Sequence, residues 1–327
     1  MSPPLLEVDR LSTHYVSARG TRIVRAVDEV SFTLRAGETL GVVGESGSGK
    51  TTLALSLLRL LPPAARIVGG RVRFEGEDLL QKSDAEMRRI RGRRIAMILQ
   101  DPMASLNPLF TVGDQVAEPL RVHEGAARRT AWERARALLQ AVRIPAPEQR
   151  VREYPHQMSG GMRQRIVGAI AISCEPRLLI ADEPTTSLDV TIQAQYLRLL
   201  RDLQREHGLA LIFITHNLGI VARMCDAVAV MYAGRMVEAG PVRRIFSSPA
   251  HPYTQALIDS IPRLNGGPGR LTAIDGQPPD LSAMPGGCAF HPRCPKVMDR
   301  CRAEEPGTVA VEAAHTVRCW LVQGRTS

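Results

Sequence analysis

Residues 44–51 read Gly44-Glu45-Ser46-Gly47-Ser48-Gly49-Lys50-Thr51, which fits the pattern G-x-x-x-x-G-K-[ST]. This stretch follows the apolar run Thr39–Val43 and precedes the helix-forming run Thr52–Leu58. A strand, a glycine loop and a helix in this order are typical of a phosphate-binding loop, because the glycines let backbone N–H groups turn toward a phosphate. A flexible Gly/Ser turn is the alternative interpretation, and the flanking strand and helix disfavour it.

Two side chains of this loop have predicted ligands. Lys50 is expected to reach the β- and γ-phosphates of a nucleotide, and the Thr51 hydroxyl is expected to bind Mg²⁺. Nearly all basic residues of the chain are Arg, and Lys occurs only at positions 50, 82 and 296. One of the three Lys residues therefore lies at the position where phosphate binding needs a compact ammonium group. The predicted ATP site comprises the loop and the residue after it: Gly44, Glu45, Ser46, Gly47, Ser48, Gly49, Lys50, Thr51 and Thr52.

The bulk composition describes an ordinary globular protein, with 44% apolar and 23% charged residues in 327. This length favours one large nucleotide-binding domain with a smaller appendage. The net charge of +9 would fit nucleic acid or an anionic membrane surface. A solvated Arg-rich face is the favoured interpretation, because aromatic residues make up only 4% and no basic stretch is interleaved with them. No nucleic-acid partner is therefore expected.

Targeting signals are absent from the sequence pattern. The N-terminal residues 1–7 have neither a basic nor an apolar region of a secretory signal, and no apolar run approaches the ~18 residues of a membrane helix. We therefore expect a soluble, cytoplasmic protein. Its six cysteines are then expected to be thiols or metal ligands rather than disulfides.

Two predicted strands end on candidate site residues. Short alternating runs before residue 43 predict a small antiparallel sheet, and Tyr15 at the end of its first run could stack on adenine. An ordinary core or surface tyrosine is the alternative. Gln100 follows the strand Arg94–Leu99, at the edge of a parallel sheet where site residues usually lie.

A carboxylate pair follows the near-continuous apolar run 177–181, which predicts a strand buried on both faces. Two acids at such a strand end are costly unless they serve a cation. Asp182 can bind Mg²⁺ through water, and Glu183 can orient the attacking water or accept its proton. A capping acid pair before the turn at Pro184 is the alternative.

A histidine ends the next strand, Leu209–Ile214, in register with Gln100 and with the carboxylate pair. From this position His216 could touch a γ-phosphate, although a lone histidine is more often structural. Between the core strands, helical periodicity from Thr111 to Arg143 predicts a helical insertion, which leads into Met158-Ser159-Gly160-Gly161-Met162 and a further helix.

Together these elements resemble the ABC ATPase family in their order and spacing over about residues 5–262. They are the phosphate loop, Gln100, Ser159-Gly160-Gly161, Ile180–Pro184, Ser187-Leu188-Asp189 and His216. The resemblance implies an α/β fold, a P-loop ABC ATPase core with an antiparallel β subdomain and a helical insertion. We expect a nucleotide-binding domain over 1–262, with the insertion at about 101–165, and a cysteine-rich C-terminal extension over 263–327.

The resemblance also implies a head-to-tail ATP sandwich of two such domains. Ser159 and Gly161 would contact the γ-phosphate held by the partner's loop, with Gly160 between them, and Asp189 would link the two sites. Gln100 would sense nucleotide and Mg²⁺, and His216 would stabilise charge on the transferred phosphoryl group. Tyr15 becomes the expected adenine stacker. The implied Mg²⁺ ligands are Thr51, Gln100 and Asp182.

Two departures from the family pattern stand out. Met158 and Met162 replace the usual Leu and Gln of the signature, which is tolerable because the backbone and Ser159 make the contacts. Asn217 follows His216 where Asp is common, and this puts only a supporting role in doubt. Since no catalytic position is missing, we expect a competent ATPase.

Three further stretches resemble the subgroup that energises import of dipeptides, oligopeptides and nickel. They are residues 100–108, 154–157 and 251–257. The resemblance implies a second ABC ATPase, commonly non-identical, two membrane permease subunits and an extracytoplasmic solute-binding protein. It places the chain at the cytoplasmic face of the membrane, held there by the permeases. A nickel or other solute importer is the close alternative, and a soluble ABC ATPase acting on DNA or ribosomes is the distant one.

The chain beyond Pro262 is interrupted by frequent Gly and Pro residues. It carries four of the six cysteines: Cys288, Cys294, Cys301 and Cys319. A weakly structured tail that cannot build its own core often needs a metal staple. The intervals of five, six and seventeen residues match neither the common zinc patterns nor the ferredoxin runs. Spacing alone therefore indicates four thiolates with an unspecified metal.

The importer subgroup has a similar tail, and the resemblance implies a [4Fe–4S] cluster on these four cysteines. Zinc or unligated thiols are the alternatives. His291 and His315 are candidate substitute ligands, with solvated loop histidines as the favoured interpretation. Cys174 and Cys225 are interpreted as buried small apolar residues.

Overall fold

The computed structural model describes residues 3–17, 20–186, 188–261 and 274–323. These residues form two compact units. Unit 1 contains residues 35–38 and the described residues of 81–214, and unit 2 contains those of 4–34, 39–80 and 215–323. Ser187, the first residue of the Ser187-Leu188-Asp189 element, and the glycine-rich run 265–269 lie outside the described residues.

The strands of the described residues are β1 (Leu6–Val16), β2 (Ile23–Leu34), β3 (Thr39–Val43), β4 (Ala65–Phe74), β5 (Glu77–Asp78), β6 (Ile95–Ile98), β7 (Leu178–Asp182), β8 (Ala210–Ile214), β9 (Ala227–Tyr232), β10 (Arg235–Pro241), β11 (Val309–Glu312) and β12 (His315–Val317). The α-helices are α1 (Lys50–Leu57), α2 (Asp84–Ile90), α3 (Pro102–Ser105), α4 (Val112–Glu124), α5 (Arg128–Ala141), α6 (Pro147–Arg150), α7 (Gly160–Ile172), α8 (Val190–His207), α9 (Leu218–Met224), α10 (Val242–Ser247), α11 (Pro252–Asp259), α12 (Asp299–Ala303) and α13 (Trp320–Gln323).

The predicted small antiparallel sheet lies in unit 2 and has the strand order β2-β1-β4-β5. Its register places Leu6 opposite both Leu34 and Phe74, and all three side chains are buried. The short strands predicted before residue 35 merge into the long β1 and β2, because β-bulges absorb the irregular spacing between them.

The phosphate-loop strand β3 also belongs to unit 2, where it pairs in parallel with β9. All five residues of β3 are buried, as the apolar run predicted. Beyond β9 the strands continue in the order β10, β12 and β11, and each of these pairs is antiparallel. The predicted phosphate-loop strand is thus present with the predicted bounds.

The prediction of a weakly structured tail is wrong for its described residues. Two tail strands, β11 and β12, extend the sheet at β10. Phe290 is 1% exposed and packs with Tyr232 and Tyr253 in a core cluster. The physical reason is that the tail shares the core of unit 2, so it does not need a core of its own.

Unit 1 contains the parallel strands β8, β7 and β6 in that order. β7 and β8 are buried along their whole length, which explains their unbroken apolar sequence. The predicted helical insertion divides into α4 and α5 at Gly125, whose left-handed conformation ends α4. Among the described residues, no helix combines the length and apolar character required to span a bilayer.

Candidate functional site

The phosphate loop of unit 2 depends on its glycines. Gly44 and Gly49 have φ values of 154° and 100°, where other residues are strained. A Cβ at Gly44 would lie 2.2 Å from the Met231 carbonyl oxygen, and one at Gly49 would lie 2.0 Å from that of Ala26. The loop is therefore pressed against neighbouring backbone on both sides and holds a fixed shape.

Lys50 points back into this loop. Its Nζ donates to the carbonyl oxygens of Gly44 at 2.8 Å and Glu45 at 2.9 Å, and to Ser48 Oγ at 3.3 Å. The side chain is buried, with Lys50 6% exposed. A buried ammonium surrounded by backbone oxygens is a strong phosphate ligand, because a phosphate oxygen can replace those acceptors.

Thr51 and Thr52 lie in the first turn of α1, which begins at Lys50 after its N-cap Gly49. Thr51 is exposed and Thr52 is partly buried. The Thr52 hydroxyl lies 3.4 Å from Tyr15 Oη, so the predicted adenine-stacking residue reaches the helix that follows the loop. The structure thus places Tyr15 beside Thr52 within unit 2.

Glu45 of the loop is held by residues that the sequence did not single out as site residues. Its backbone N–H donates to Tyr253 Oη at 2.9 Å. Its carboxylate accepts two hydrogen bonds from Arg293. This interaction raises the pKa of the Arg293 guanidinium above its ordinary value. Tyr253 belongs to a stretch interpreted only as a subgroup marker, and Arg293 had no predicted role.

The candidate catalytic carboxylates lie in unit 1. Asp182 is the last residue of β7 and is 1% exposed, paired in register with Ile214 of β8. Glu183 follows with a φ of 45°, a strained conformation for a residue with a side chain. Its N–H donates to the Ile214 carbonyl at 2.9 Å, and its Oε2 accepts from Thr186 Oγ1 at 2.9 Å. One hydrogen bond thus holds the Glu183 backbone, and another orients its carboxylate.

Gln100 and His216 follow the ends of strands, as the sequence predicted. Gln100 lies two residues beyond β6 in unit 1 and is exposed. His216 lies two residues beyond the last residue of β8 and is exposed in unit 2. Asn217, the departure from the family pattern, is the N-cap of α9, where its Oδ1 accepts from the N–H of Gly219 at 2.9 Å. An Asn at this position therefore has a capping role.

The signature residues line a pocket of about 540 Å³ in unit 1. Ser159 is the N-cap of α7 and Asp189 is the N-cap of α8, and both lie in this pocket. The helices approach closely, since a Cβ at Gly161 would lie 2.7 Å from Ile192 Cγ2. The pocket also contains Arg143 and Arg165, so two helix N-termini and two guanidinium groups meet there. Burial, followed by the charge of Arg143, lowers the pKa of Arg165. This environment suits a phosphate.

The four tail cysteines all lie in unit 2 and are free thiols. The Cys288 N–H donates to the Cys301 carbonyl at 2.9 Å. Burial, reinforced by Cys288, Cys294 and Cys301, raises the pKa of the Cys319 thiol to about 11. In the part of the chain that the structure describes, no three or more His, Cys, Asp or Glu side chains form a metal-ligand arrangement.

The remaining cysteines and the two tail histidines have distinct environments. Cys174 is buried, as predicted, and burial raises the pKa of its thiol, whereas Cys225 is only partly buried. The interpretation of His315 as a solvated loop residue is wrong. It is 3% exposed because β12 packs at β10, where its Nε2 lies 2.8 Å from Glu238 Oε1. His291 is partly buried, with its Nδ1 3.0 Å from the Cys288 carbonyl oxygen.

Comparison with known proteins defines the class. The chain matches the ABC transporter family over residues 27–186 and the oligopeptide/dipeptide transporter C-terminal region over residues 237–301. It is 25% identical to the ATP-binding cassette MJ0796, solved as a dimer bound to ADP and Pi, with a TM-score of 0.65 over 73% of this chain and 99% of that one.

Two curated relatives are similar along nearly the whole chain. The dipeptide transport ATP-binding protein DppD of Bacillus subtilis is 50% identical, over 98% of this chain and 96% of the relative. The oligopeptide transport ATP-binding protein OppD of Haemophilus influenzae is 46% identical, over 97% of each. The chain therefore belongs to the ABC transporter family, among the dipeptide and oligopeptide transport ATP-binding proteins.

Proposed function

We propose that this chain is the ATP-hydrolysing subunit that powers import of dipeptides or oligopeptides through a membrane ABC transporter. The observation that carries the solute class is the 50% identity to a dipeptide transport ATP-binding protein over 98% of the chain. The phosphate loop closed around Lys50 supports ATP binding independently of that similarity.

In the proposed site, the loop N–H groups and Lys50 bind the β- and γ-phosphates, and Tyr15 stacks on adenine. The hydroxyl of Thr51, the carboxylate of Asp182 and the amide of Gln100 supply the oxygen ligands that Mg²⁺ prefers. The burial of Asp182 supports this assignment, since a buried carboxylate gains most from a cation. Bound Mg²⁺ would neutralise phosphate charge.

Glu183 orients the attacking water and accepts its proton as the water bonds to the γ-phosphorus and the bond to the β-phosphate oxygen breaks. Its strained backbone and its bond from Thr186 support a fixed orientation. His216 stabilises charge on the transferred phosphoryl group. These roles give the chain its own share of the groups for hydrolysis, and the signature element of a second ATPase supplies the rest.

The Ser159–Gly161 element completes the site of a second ABC ATPase. The pocket at the N-termini of α7 and α8, with Arg143 and Arg165, has the charge expected for a γ-phosphate. In the proposed assembly, Asp189 links the two nucleotide sites, and the second ATPase is non-identical. Two permease subunits and an extracytoplasmic solute-binding protein complete the importer, which places this chain peripherally at the cytoplasmic face of the membrane.

The chain is partitioned in this proposal into a nucleotide-binding domain over residues 1–262, with its helical insertion at about 101–165, and a C-terminal extension over 263–327. The extension holds a [4Fe–4S] cluster on Cys288, Cys294, Cys301 and Cys319, with Zn²⁺ as the alternative. Cysteine thiolates are soft ligands suited to either group. A bound cation would reverse the raised pKa values of Cys288, Cys294 and Cys319, because a coordinating thiol loses its proton.

Peptide import is tested by uptake. Cells that lack the chain should lose accumulation of labelled dipeptides or tripeptides, and the wild-type chain should restore it, because no other subunit supplies this ATP site. Nickel uptake is measured in the same cells. Loss of nickel uptake with unchanged peptide uptake would transfer the assignment to the alternative solute.

The cluster is tested on anaerobically purified full-length protein. The wild type should be brown with the visible absorbance of thiolate-bound iron, and Cys294→Ser should lose this colour because one of four ligands is removed. Cys225→Ser is the matched control and should keep the colour, since Cys225 lies outside the tail. Stoichiometric zinc in place of iron would refute the cluster.

A further inference from the structure

Glu45 is the residue at which the C-terminal segment meets the phosphate loop, and three of its groups are engaged. Its carbonyl oxygen accepts from Lys50 Nζ at 2.9 Å. Its N–H donates to Tyr253 Oη at 2.9 Å. Its carboxylate pairs with Arg293, Nη1 to Oε2 at 2.7 Å and Nη2 to Oε1 at 3.0 Å. Both the backbone and the side chain of this loop residue are therefore anchored outside the loop.

Arg293 has the geometry of a structural clamp. Its side chain is 4% exposed, and its two parallel bonds to one carboxylate are the arrangement in which Arg recognition is most specific. The remaining Nε donates to the Asp275 carbonyl at 3.0 Å, and Nη1 also lies 3.3 Å from Tyr232 Oη. The guanidinium thus ties the loop to residue 275 and to the end of β9.

The contact comes from the cysteine segment itself. Arg293 directly precedes Cys294 and ends the 3₁₀ turn His291–Arg293. Phe290, the residue before this turn, packs edge-on against Tyr232 with ring centroids 5.2 Å apart. The turn that presents Arg293 to the loop is therefore seated in the core of unit 2.

The charges of Glu45 and Arg293 link their contact to nucleotide binding. A carboxylate in a loop that receives phosphates repels them, and at a partly buried site this repulsion is poorly screened. Arg293 cancels that charge and holds both carboxylate oxygens. Without Arg293, the loop would carry an uncompensated anion beside the phosphates of ATP.

We propose that Arg293 is a positioning residue for ATP binding: it neutralises the Glu45 carboxylate and clamps this loop residue to the C-terminal cysteine segment. The inference rests on the proposed function, since it assumes that the loop binds ATP. It makes nucleotide affinity dependent on a segment more than two hundred residues away in sequence, Arg293 and Glu45 being 248 positions apart.

The test measures the Kd of Mg-ATP for the full-length chain by calorimetric titration, together with the KM and kcat of hydrolysis. Arg293→Ala should raise Kd and KM roughly tenfold, equivalent to about 1.4 kcal/mol, with kcat changed less than about twofold. Arg293→Lys should be intermediate, because it keeps the charge but not the paired bonds. Wild-type protein that fails to bind ATP would refute the proposed function, whereas a wild-type affinity in Arg293→Ala would refute only this inference.

A charge rescue separates the proposed role from a general effect on folding. In the double variant Arg293→Ala, Glu45→Gln, no unpaired carboxylate remains, so the affinity should return to within about threefold of Glu45→Gln alone. Arg318→Ala is the matched control, since Arg318 is a largely buried tail arginine that bonds Pro306 and Glu305. An equal loss of affinity in Arg318→Ala, or no rescue in the double variant, would overturn the inference.

Discussion

Replacing Glu183 by Gln should abolish ATP hydrolysis, with kcat falling by at least about 100-fold, while the Kd of ATP changes little. The amide has the size of the carboxylate and can still accept from Thr186 Oγ1, so the strained turn after β7 should persist. It cannot accept a proton from water at neutral pH. The measurements are phosphate release and equilibrium ATP binding on the same preparation.

The control for this substitution is Glu175→Gln. Glu175 lies in the same unit and shares the left-handed conformation, with a φ of 49°, but is exposed and precedes β7 rather than following it. Its hydrolysis rate should match the wild type. Turnover at the wild-type rate in Glu183→Gln would reject the assignment of Glu183 as the group that activates water.

Replacing Lys50 by Ala should weaken ATP binding by roughly 100-fold, because it removes two charge-assisted hydrogen bonds to phosphate of about 1.5 kcal/mol or more each. Lys50→Ala should therefore change the Kd of ATP, whereas Glu183→Gln should change kcat. Titration with Mg-ATP measures it, and thermal unfolding without nucleotide verifies that the protein is folded.

Lys82→Ala is the comparison for this second substitution, since it removes one of the other two lysines of the chain, before α2. It should bind ATP with the wild-type affinity. If Lys50→Ala kept the wild-type Kd, the interpretation of residues 44–51 as a phosphate loop would fail.

The sequence predicted the phosphate loop and the ends of the core strands because both are encoded by neighbouring residues. The glycines at 44 and 49 are required by the local backbone, and the apolar runs at β3 and β7 are required by burial on both faces. Such patterns need no knowledge of distant contacts. The positions of Asp182 and Glu183 followed from the same reasoning.

The sequence could not predict the partners of Glu45. Arg293 lies among other arginines of a Gly- and Pro-rich tail, and no spacing relates it to the loop. Tyr253 was interpreted as part of a subgroup marker, although its hydroxyl reaches the Glu45 backbone. Composition also misled the interpretation of the tail, because β12 pairs with β10 and Phe290 packs in the core of unit 2.

The buried pair of Glu238 and His315 shows what truncation of the C-terminal tail would disrupt. Glu238 lies in β10 and is 1% exposed, and its carboxylate accepts from the N–H groups of Ala250 and His251 besides contacting His315. Removing the tail would strip a buried acid of one partner and open the edge of β10 to pairing with other chains. The described tail residues 274–323 therefore belong to the fold of unit 2 rather than to a detachable module.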